Sequence, residues 1–305
     1  MYSLEGIKKG LAQPRYILQE ANRLYYRRLR TWPYNERGKD FIEADWDTLL
    51  ILDACRYDLF ERVNRLPGET MSAESRGSST REFLRSNLDG KRLPDTVYVT
   101  ASPMLHRHRD KIDVRFHDVI NIWQEDGWDE TYRTVLPETV AEATLEAAER
   151  FPNKRLLVHF LQPHYPFLGP TGTEHFDLDR LDFQWDDLAS GDLGIPEATV
   201  RRAYEENLEE VLPSVERLLV ELDGRSVVTA DHGQIIGERL FPIPMREYGH
   251  PAGIYAEELV KVPWHVFDEG PRREIVAEEP ESAAGGTDET ESVANERLKQ
   301  LGYLE

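Results

Sequence analysis

The run Thr48-Leu49-Leu50-Ile51-Leu52 is almost wholly apolar, without alternation, and five residues long. That length and pattern predict a strand buried on both faces, as in a parallel sheet. Four further runs of strand length follow: Thr96–Thr100, Arg155–Leu161, Ser226–Ala230 and Val262–Phe267. The stretches between them carry helical spacing. Tyr57, Phe60 and Val63 step by three before Pro67-Gly68 breaks the pattern. Pro137 to Arg150 reads as a helix with proline in its first turn. From Glu197 to Leu222, apolar Tyr204, Leu208, Val211, Val215, Leu218 and Leu222 recur every three or four residues. Pro213 is expected to kink that helix, and Gly224 follows its end. Strands alternating with helices predict an α/β fold, a mostly parallel central sheet with helices on both faces. The polar, Asp- and Gly-rich segment from Phe167 to Pro196 interrupts the alternation and reads as an insertion or a lid.

The two ends differ from this body. Residues 1–40 hold nine Lys or Arg against four Asp or Glu, a local +5 in a chain of net charge −20. Ile17, Leu18, Ala21, Leu24, Tyr25 and Leu29 fall near helical spacing there, beside Arg23, Arg27, Arg28 and Arg30. Such a basic helical arm can lie on anionic lipid as a peripheral membrane element, or pack on its own acidic body or a twin subunit. Packing is the preferred reading. Residues 41–270 carry the alternating pattern as one domain. Residues 271–305 read as an acidic flexible linker, nearly devoid of apolar side chains over about 276–290, and a short helix from Val293 to Leu301.

Composition narrows the function. With 57 acidic against 37 basic residues, the chain repels nucleic-acid phosphates, which argues against DNA or RNA as a partner. The same surface is what a halophilic protein, adapted to high internal salt, would carry. No run approaches the roughly 18 apolar residues of a membrane span. Met1 to Gly10 has no apolar core of a secretory signal, so a cytoplasmic protein is expected. Cys55 is the single cysteine, which rules out an internal disulfide and any cysteine-rich metal site.

Chemistry gathers where strands end. In a parallel sheet, ligands bind beyond the carboxyl ends of the strands. Leu52 leads into Asp53, and Ala230 leads into Asp231-His232-Gly233. One acid after a strand is commonly a cap or turn residue; two, one followed directly by histidine, offer hard oxygen and imidazole donors suited to zinc, manganese or magnesium. Gly233 would let the backbone pass close behind an ion. Gly77-Ser78-Ser79-Thr80-Arg81-Glu82 looks like a helix start, and Ser79 to Glu82 matches a capping box. The alternative is a hydroxyl placed where helix amides favour an anion. His164 between prolines and His250 after Gly249 could converge on the same edge.

Four segments together resemble the alkaline phosphatase/sulfatase superfamily. Thr229-Ala230-Asp231-His232-Gly233-Gln234 with Gly237-Glu238, Tyr248-Gly249-His250-Pro251 and Val262-Pro263 is similar to its C-terminal signature. Gln162-Pro163-His164-Tyr165-Pro166-Phe167 resembles its Pro-His-x-Pro motif, and Leu50 to Asp58 its first metal-binding strand. Leu301-Gly302-Tyr303-Leu304 resembles the end of many such chains. The resemblance implies Asp53, Thr80, Asp231 and His232 as ligands of one divalent ion (zinc, manganese or calcium), with Thr80 also the nucleophile. His164 and His250 would bind the anionic oxygens, assist the leaving group, or complete a second metal site. Arg56 and Glu238 would stand behind these groups.

Two departures shape the expectation. Cys55 is followed by Arg56-Tyr57-Asp58, not by the Cys-x-Pro-x-Arg of sulfatases that convert cysteine to formylglycine. No acid precedes His164 where two-zinc phosphatases supply one; Phe160-Leu161-Gln162-Pro163 stands there. The expected activity is a metal-dependent phosphoric ester hydrolase or phospho-group transferase with a threonine nucleophile. Its substrate would be an anionic ester such as a glycan or lipid phosphate. The alternatives are a sulfuric ester hydrolase without formylglycine and a non-catalytic binding protein on the same fold.

Overall fold

The computed structural model describes residues 14–124, 127–176, 185–191, 193–279 and 288–302. At its centre β1 (Thr48–Leu52) pairs in parallel with β5 (Arg155–Phe160) on one side and β6 (Gly224–Thr229) on the other. β3 (Arg92–Thr100) and β4 (Arg115–Asn121) extend the parallel sheet beyond β5. On the far side β9 (Lys261–Glu269) runs antiparallel to β6, and β2 (Glu69–Glu74) antiparallel to β9. The order is β2-β9-β6-β1-β5-β3-β4. A separate hairpin joins β7 (Ile235–Arg239) and β8 (Arg246–Gly249).

All five residues of β1 are buried, and strand side chains alternate between faces, so both faces of the sheet are covered at its centre. This is the expected α/β architecture. α5 (Pro137–Arg150) packs on β3 and β5 and against the long helix α8 (Glu197–Glu221). α8 runs through Pro213 without ending, because its inward stripe of Tyr204, Leu208, Val211, Val215 and Leu218 is buried along both halves. Burial of each large apolar side chain contributes roughly 1.5–3 kcal/mol, enough to hold a helix across one missing amide. α2 (Tyr57–Val63) follows β1, and α3 (Thr80–Leu88) follows β2. α4 (Met104–Arg107), α6 (Pro170–His175), α7 (Trp185–Ser190) and α9 (Glu257–Val260) are short. No described helix is long and apolar enough to cross a membrane.

The amino-terminal arm forms α1 (Pro14–Tyr26) and docks on its own body by its polar face. Arg15 and Gln19 both reach the buried Glu247 carboxylate, at 2.7 and 2.8 Å. Asn22 exchanges two hydrogen bonds with Ile243, and Arg23 donates to the Ala252 carbonyl. Ile17, Leu18, Tyr25 and Leu29 are left exposed. At the other end, residues 271–279 run back along the body. Arg272 pairs with Asp45 at 2.7 Å and with Asp47, Lys154 donates to the Val276 carbonyl, and the Glu278 amide donates to the Pro94 carbonyl. Residues 280–287, where the rest of the expected linker falls, lie outside the described residues. α10 (Asp288–Gln300) then docks through buried Ala294 and Leu298.

Candidate metal centre

Register brings the strand ends together. Leu52 pairs with Phe160, and Ile51 with Thr229. Asp53, the loop from Leu161 to His164 and the Asp231-His232 pair therefore leave three adjacent strands side by side at the carboxyl edge. At Ala54 the chain turns into the left-handed region with φ 62°, which costs an alanine about 1–2 kcal/mol. The turn is held on both sides. The Ala54 amide donates to Asp231 Oδ1 at 3.0 Å, and its carbonyl accepts from the Tyr204 hydroxyl of α8.

Asp53, Asp231 and His232 offer one ligand atom each within 4.8 Å of one another, and all three side chains are buried. His232 Nε2 lies 3.3 Å from Asp231 Oδ2 and 3.6 Å from Asp53 Oδ1. Thr80 Oγ1, from the first residue of α3, lies 3.2 Å from the same nitrogen. His232 Nδ1 is 2.7 Å from the Gly233 carbonyl, which can only accept, so Nδ1 carries the hydrogen and Nε2 turns its lone pair toward the carboxylates. Asp231 Oδ1 accepts the Ala54 and His232 amides, whereas Oδ2 accepts no hydrogen bond among the described residues. Two carboxylate oxygens and an imidazole lone pair crowded in a buried spot repel one another unless a cation or a proton lies among them. Donors about 2.0–2.2 Å from a tetrahedral ion stand about 3.3–3.6 Å apart. The separations of Asp231, Asp53 and Thr80 from His232 Nε2, 3.3, 3.6 and 3.2 Å, fall in or beside this range, and the buried Asp53-Asp231-His232 group could hold a small divalent ion.

Two more imidazoles close the site. His164 and His250 stack edge to face at 5.0 Å between ring centres, and His250 lies 4.6 Å from the His232 ring. His164 Nδ1 meets the Tyr165 carbonyl at 2.7 Å, and His250 Nδ1 meets Gln234 Oε1 at 3.1 Å, which leaves Nε2 of each as the unprotonated nitrogen. Burial pushes the His164 pKa down to about 4, and burial with the His232 and His164 rings takes His250 well below its usual value. Both are neutral at pH 7. Neither belongs to a group of three metal donors among the described residues.

No family model matches the chain, and no curated protein matches it. Among solved structures it is similar to the integral membrane lipooligosaccharide phosphoethanolamine transferase A (EptA) of Neisseria meningitidis, at 13% identity and a TM-score of 0.45. That match covers 72% of this chain and 47% of the other, so the chain spans about half the length of the Neisseria protein. It is similar to the periplasmic domain of the phosphoethanolamine transferase EptC of Campylobacter jejuni, at 13% identity and a TM-score of 0.46, over 72% of this chain and 78% of that one. A protein in the alkaline phosphatase superfamily from Vibrio parahaemolyticus matches at 12% identity and a TM-score of 0.40, over 84% and 65% of the two chains. At these scores the likeness carries nothing about activity.

Arg56 and Glu238 meet each other. Arg56 Nη1 lies 2.5 Å from Glu238 Oε1 and also donates to the Gln234 carbonyl, while its other nitrogens hold Asp58. They clamp the turn after β1 to the β7 strand. The expected capping box is absent: Ser79 makes no side-chain cap, and Glu82 accepts the amide and hydroxyl of Ser78 instead. Gly233 is needed for close approach, but to protein, since a Cβ there would stand 2.1 Å from the Glu258 carbonyl oxygen. Cys55 is buried, and burial with the Asp58 and Asp231 charges pushes its thiol pKa up, so it stays a neutral packing residue.

Several supporting residues escaped the sequence reading. Asn207 of α8 donates to the carbonyls of Pro163, His164 and Pro166 and so fixes the histidine loop. The Ser75 hydroxyl donates to the Asp231 carbonyl. His159 of β5, bonded to the Tyr98 hydroxyl at 2.9 Å, puts Nε2 3.9 Å from Asp231 Oδ2, and burial lowers its pKa to about 4. A lone imidazole inside Leu-Leu-Val-His-Phe was the available signal.

Proposed function

We propose that the chain is a metal-dependent enzyme of the alkaline phosphatase/sulfatase superfamily that transfers a phosphoryl or substituted phosphoryl group through Thr80. The observation that carries this reading is the Thr80 hydroxyl 3.2 Å from His232 Nε2, beside the buried Asp53 and Asp231 carboxylates. Bound among them, a divalent ion lowers the pKa of a hydroxyl and neutralises phosphoryl oxygen charge. The donor set suits zinc or manganese; calcium takes six to eight oxygens and is poorly served. Thr80 Oγ1 forms the new bond to phosphorus as the bond to the leaving oxygen breaks, and water or an acceptor alcohol then releases the threonine. His164 and His250, neutral beside His232, would stabilise the charge developing on the transferred group and on the departing oxygen, which takes up the proton that the Thr80 hydroxyl gives up. The natural substrate is an anionic ester, a lipid or glycan phosphate.

Aryl phosphate, aryl phosphodiester and aryl sulfate turnover, assayed side by side, test the reading. Thr80→Ala is expected to lower kcat by about a thousandfold or more, about 4 kcal/mol of barrier. Thr80→Ser should keep a measurable part of the activity. Elemental analysis should find stoichiometric metal in the parent and in Thr80→Ser, and little in Asp231→Asn. Metal-dependent turnover that survives Thr80→Ala would overturn the assignment.

A further inference from the structure

Arg81, the residue after Thr80, and Arg85, one turn further along α3, line a cleft of about 280 Å³ with Arg27, Lys111 and His108. Its wall also reaches Ala252, two residues beyond His250. In a chain of net charge −20, many arginines find carboxylates, as Arg15, Arg56, Arg62 and Arg76 do, while others, Arg37, Arg65 and Arg239 among them, form no ion pair among the described residues. The cleft gathers several such cations in one place. Among the described residues none of Arg27, Arg81, Arg85 and Lys111 forms an ion pair; Arg27 donates to the Trp32 and Pro33 carbonyls. Glu82 is the one acid in the lining, and its oxygens already accept the Ser78 amide and hydroxyl, the Gly253 amide and the Tyr255 hydroxyl. His108 is 8% exposed, and its Nδ1 is buried with no hydrogen-bond partner among the described residues. Burial and the charges of Arg81, Arg107 and Lys111 push its pKa down to about 4, against the opposing pull of Asp110. Four cations thus stand around this buried ring with one carboxylate among them, Glu82, which is engaged by neutral donors rather than by the cations.

We propose that this cleft binds a second anionic group, a phosphate or diphosphate, carried by the molecule whose ester reacts at Thr80. Guanidinium forks at i and i+4 on one helix present paired donors suited to phosphate oxygens. The substrate class is therefore an ester bearing at least two anionic centres, one at the metal edge and one in the cleft. The assignment rests on the reading of Thr80 as nucleophile for what the anion belongs to; the anion site itself does not. Its source is either a lipid headgroup or a soluble phosphate ester.

Titration of inorganic pyrophosphate into the full chain by calorimetry, with chloride at physiological strength, tests it. Saturable binding is expected in the parent and in Asp231→Asn. Arg85→Gln with Lys111→Gln should weaken it at least tenfold, and each single substitution by a smaller factor, with unfolding midpoints measured in parallel. Equal binding in parent and double variant, or no binding in the parent, would overturn the cleft as an anion site whatever Thr80→Ala does to turnover. Binding lost in Asp231→Asn but kept in the double variant would overturn it too, by moving the anion to the metal edge. Co-sedimentation with phosphatidylcholine vesicles containing phosphatidate distinguishes the sources. Vesicle binding displaced by pyrophosphate and lost in the double variant supports a lipid headgroup, and pyrophosphate binding without vesicle binding supports a soluble ester.

Discussion

Asn207 uses one amide nitrogen against three carbonyls, those of Pro163, His164 and Pro166, at 3.0, 2.8 and 3.1 Å, while its oxygen accepts the Leu168 amide at 2.9 Å. Asn207→Ala strips partners from four backbone groups around His164 at once. Leaving buried polar groups unmet costs about 1–3 kcal/mol each where water cannot enter, so a loss of about 2–4 kcal/mol in a urea titration is the expected outcome. An unchanged midpoint would mean that the loop is held by its packing alone. The metal edge was legible for a reason that does not extend to Asn207. Asp53, Asp231 and His232 sit where apolar runs stop, and a polar residue at that point stands out. Asn207 and Tyr204 sit inside a helix and Ser75 just past the end of an exposed strand, where a polar side chain is ordinary and its target is set only by packing. The capping box failed because Ser78, one residue earlier, competes for Glu82.

The docking of α1 concentrates on one acid. The Glu247 side chain is 1% exposed against 26% for Arg15, and Gln19 and the Tyr248 amide complete its contacts. Arg15→Ala with Gln19→Ala leaves a buried carboxylate with one donor. The expected cost is about 2–3 kcal/mol, below the figure for a fully buried pair because Arg15 is partly solvated. Trypsin should then cut sooner at Arg27 and Arg28, and Glu247→Gln in the same background should restore part of the resistance by removing the stranded charge. α1 turns its polar side toward its own body and leaves Ile17, Leu18 and Tyr25 exposed. Periodicity alone could not reveal that inversion. Among the strands, β1 was legible because burial on both faces makes it almost continuously apolar, and β5 and β6 because each carries a short apolar run ending at the carboxyl edge. β2, with four of its six residues exposed, carries no such run, and β4 is mostly half-buried. β7 and β8 are short and interrupted by a bulge. Their pairing partners, not their own composition, make them strands.

Across the whole molecule, two electrostatic effects respond to acid with opposite signs. The net charge of −20 repels itself, so protonating carboxylates relieves strain and would stabilise the fold as pH falls. His159, His164 and His250 are buried neutral with depressed pKa values. Below about 6.5 the unfolded chain takes up protons at these positions while the folded chain does not, so their contribution declines as pH falls below about 6.5. Carboxylates with ordinary values near 4 hardly titrate between pH 7 and 5.5, so the imidazoles dominate that window. Each should remove about 1 kcal/mol across it, and the three together about 3–4 kcal/mol. His108 acts in the same direction. Urea titrations of the chelator-treated chain at both pH values, in 1 M salt to shorten the screening length to about 3 Å, isolate this effect from the surface charge. A midpoint that holds steady would mean the three rings are already charged or reached by water. Restoring metal should raise the midpoint and steepen the dependence, because metal binding favours the unprotonated site and keeps protons off the folded chain while the unfolded chain still takes them up.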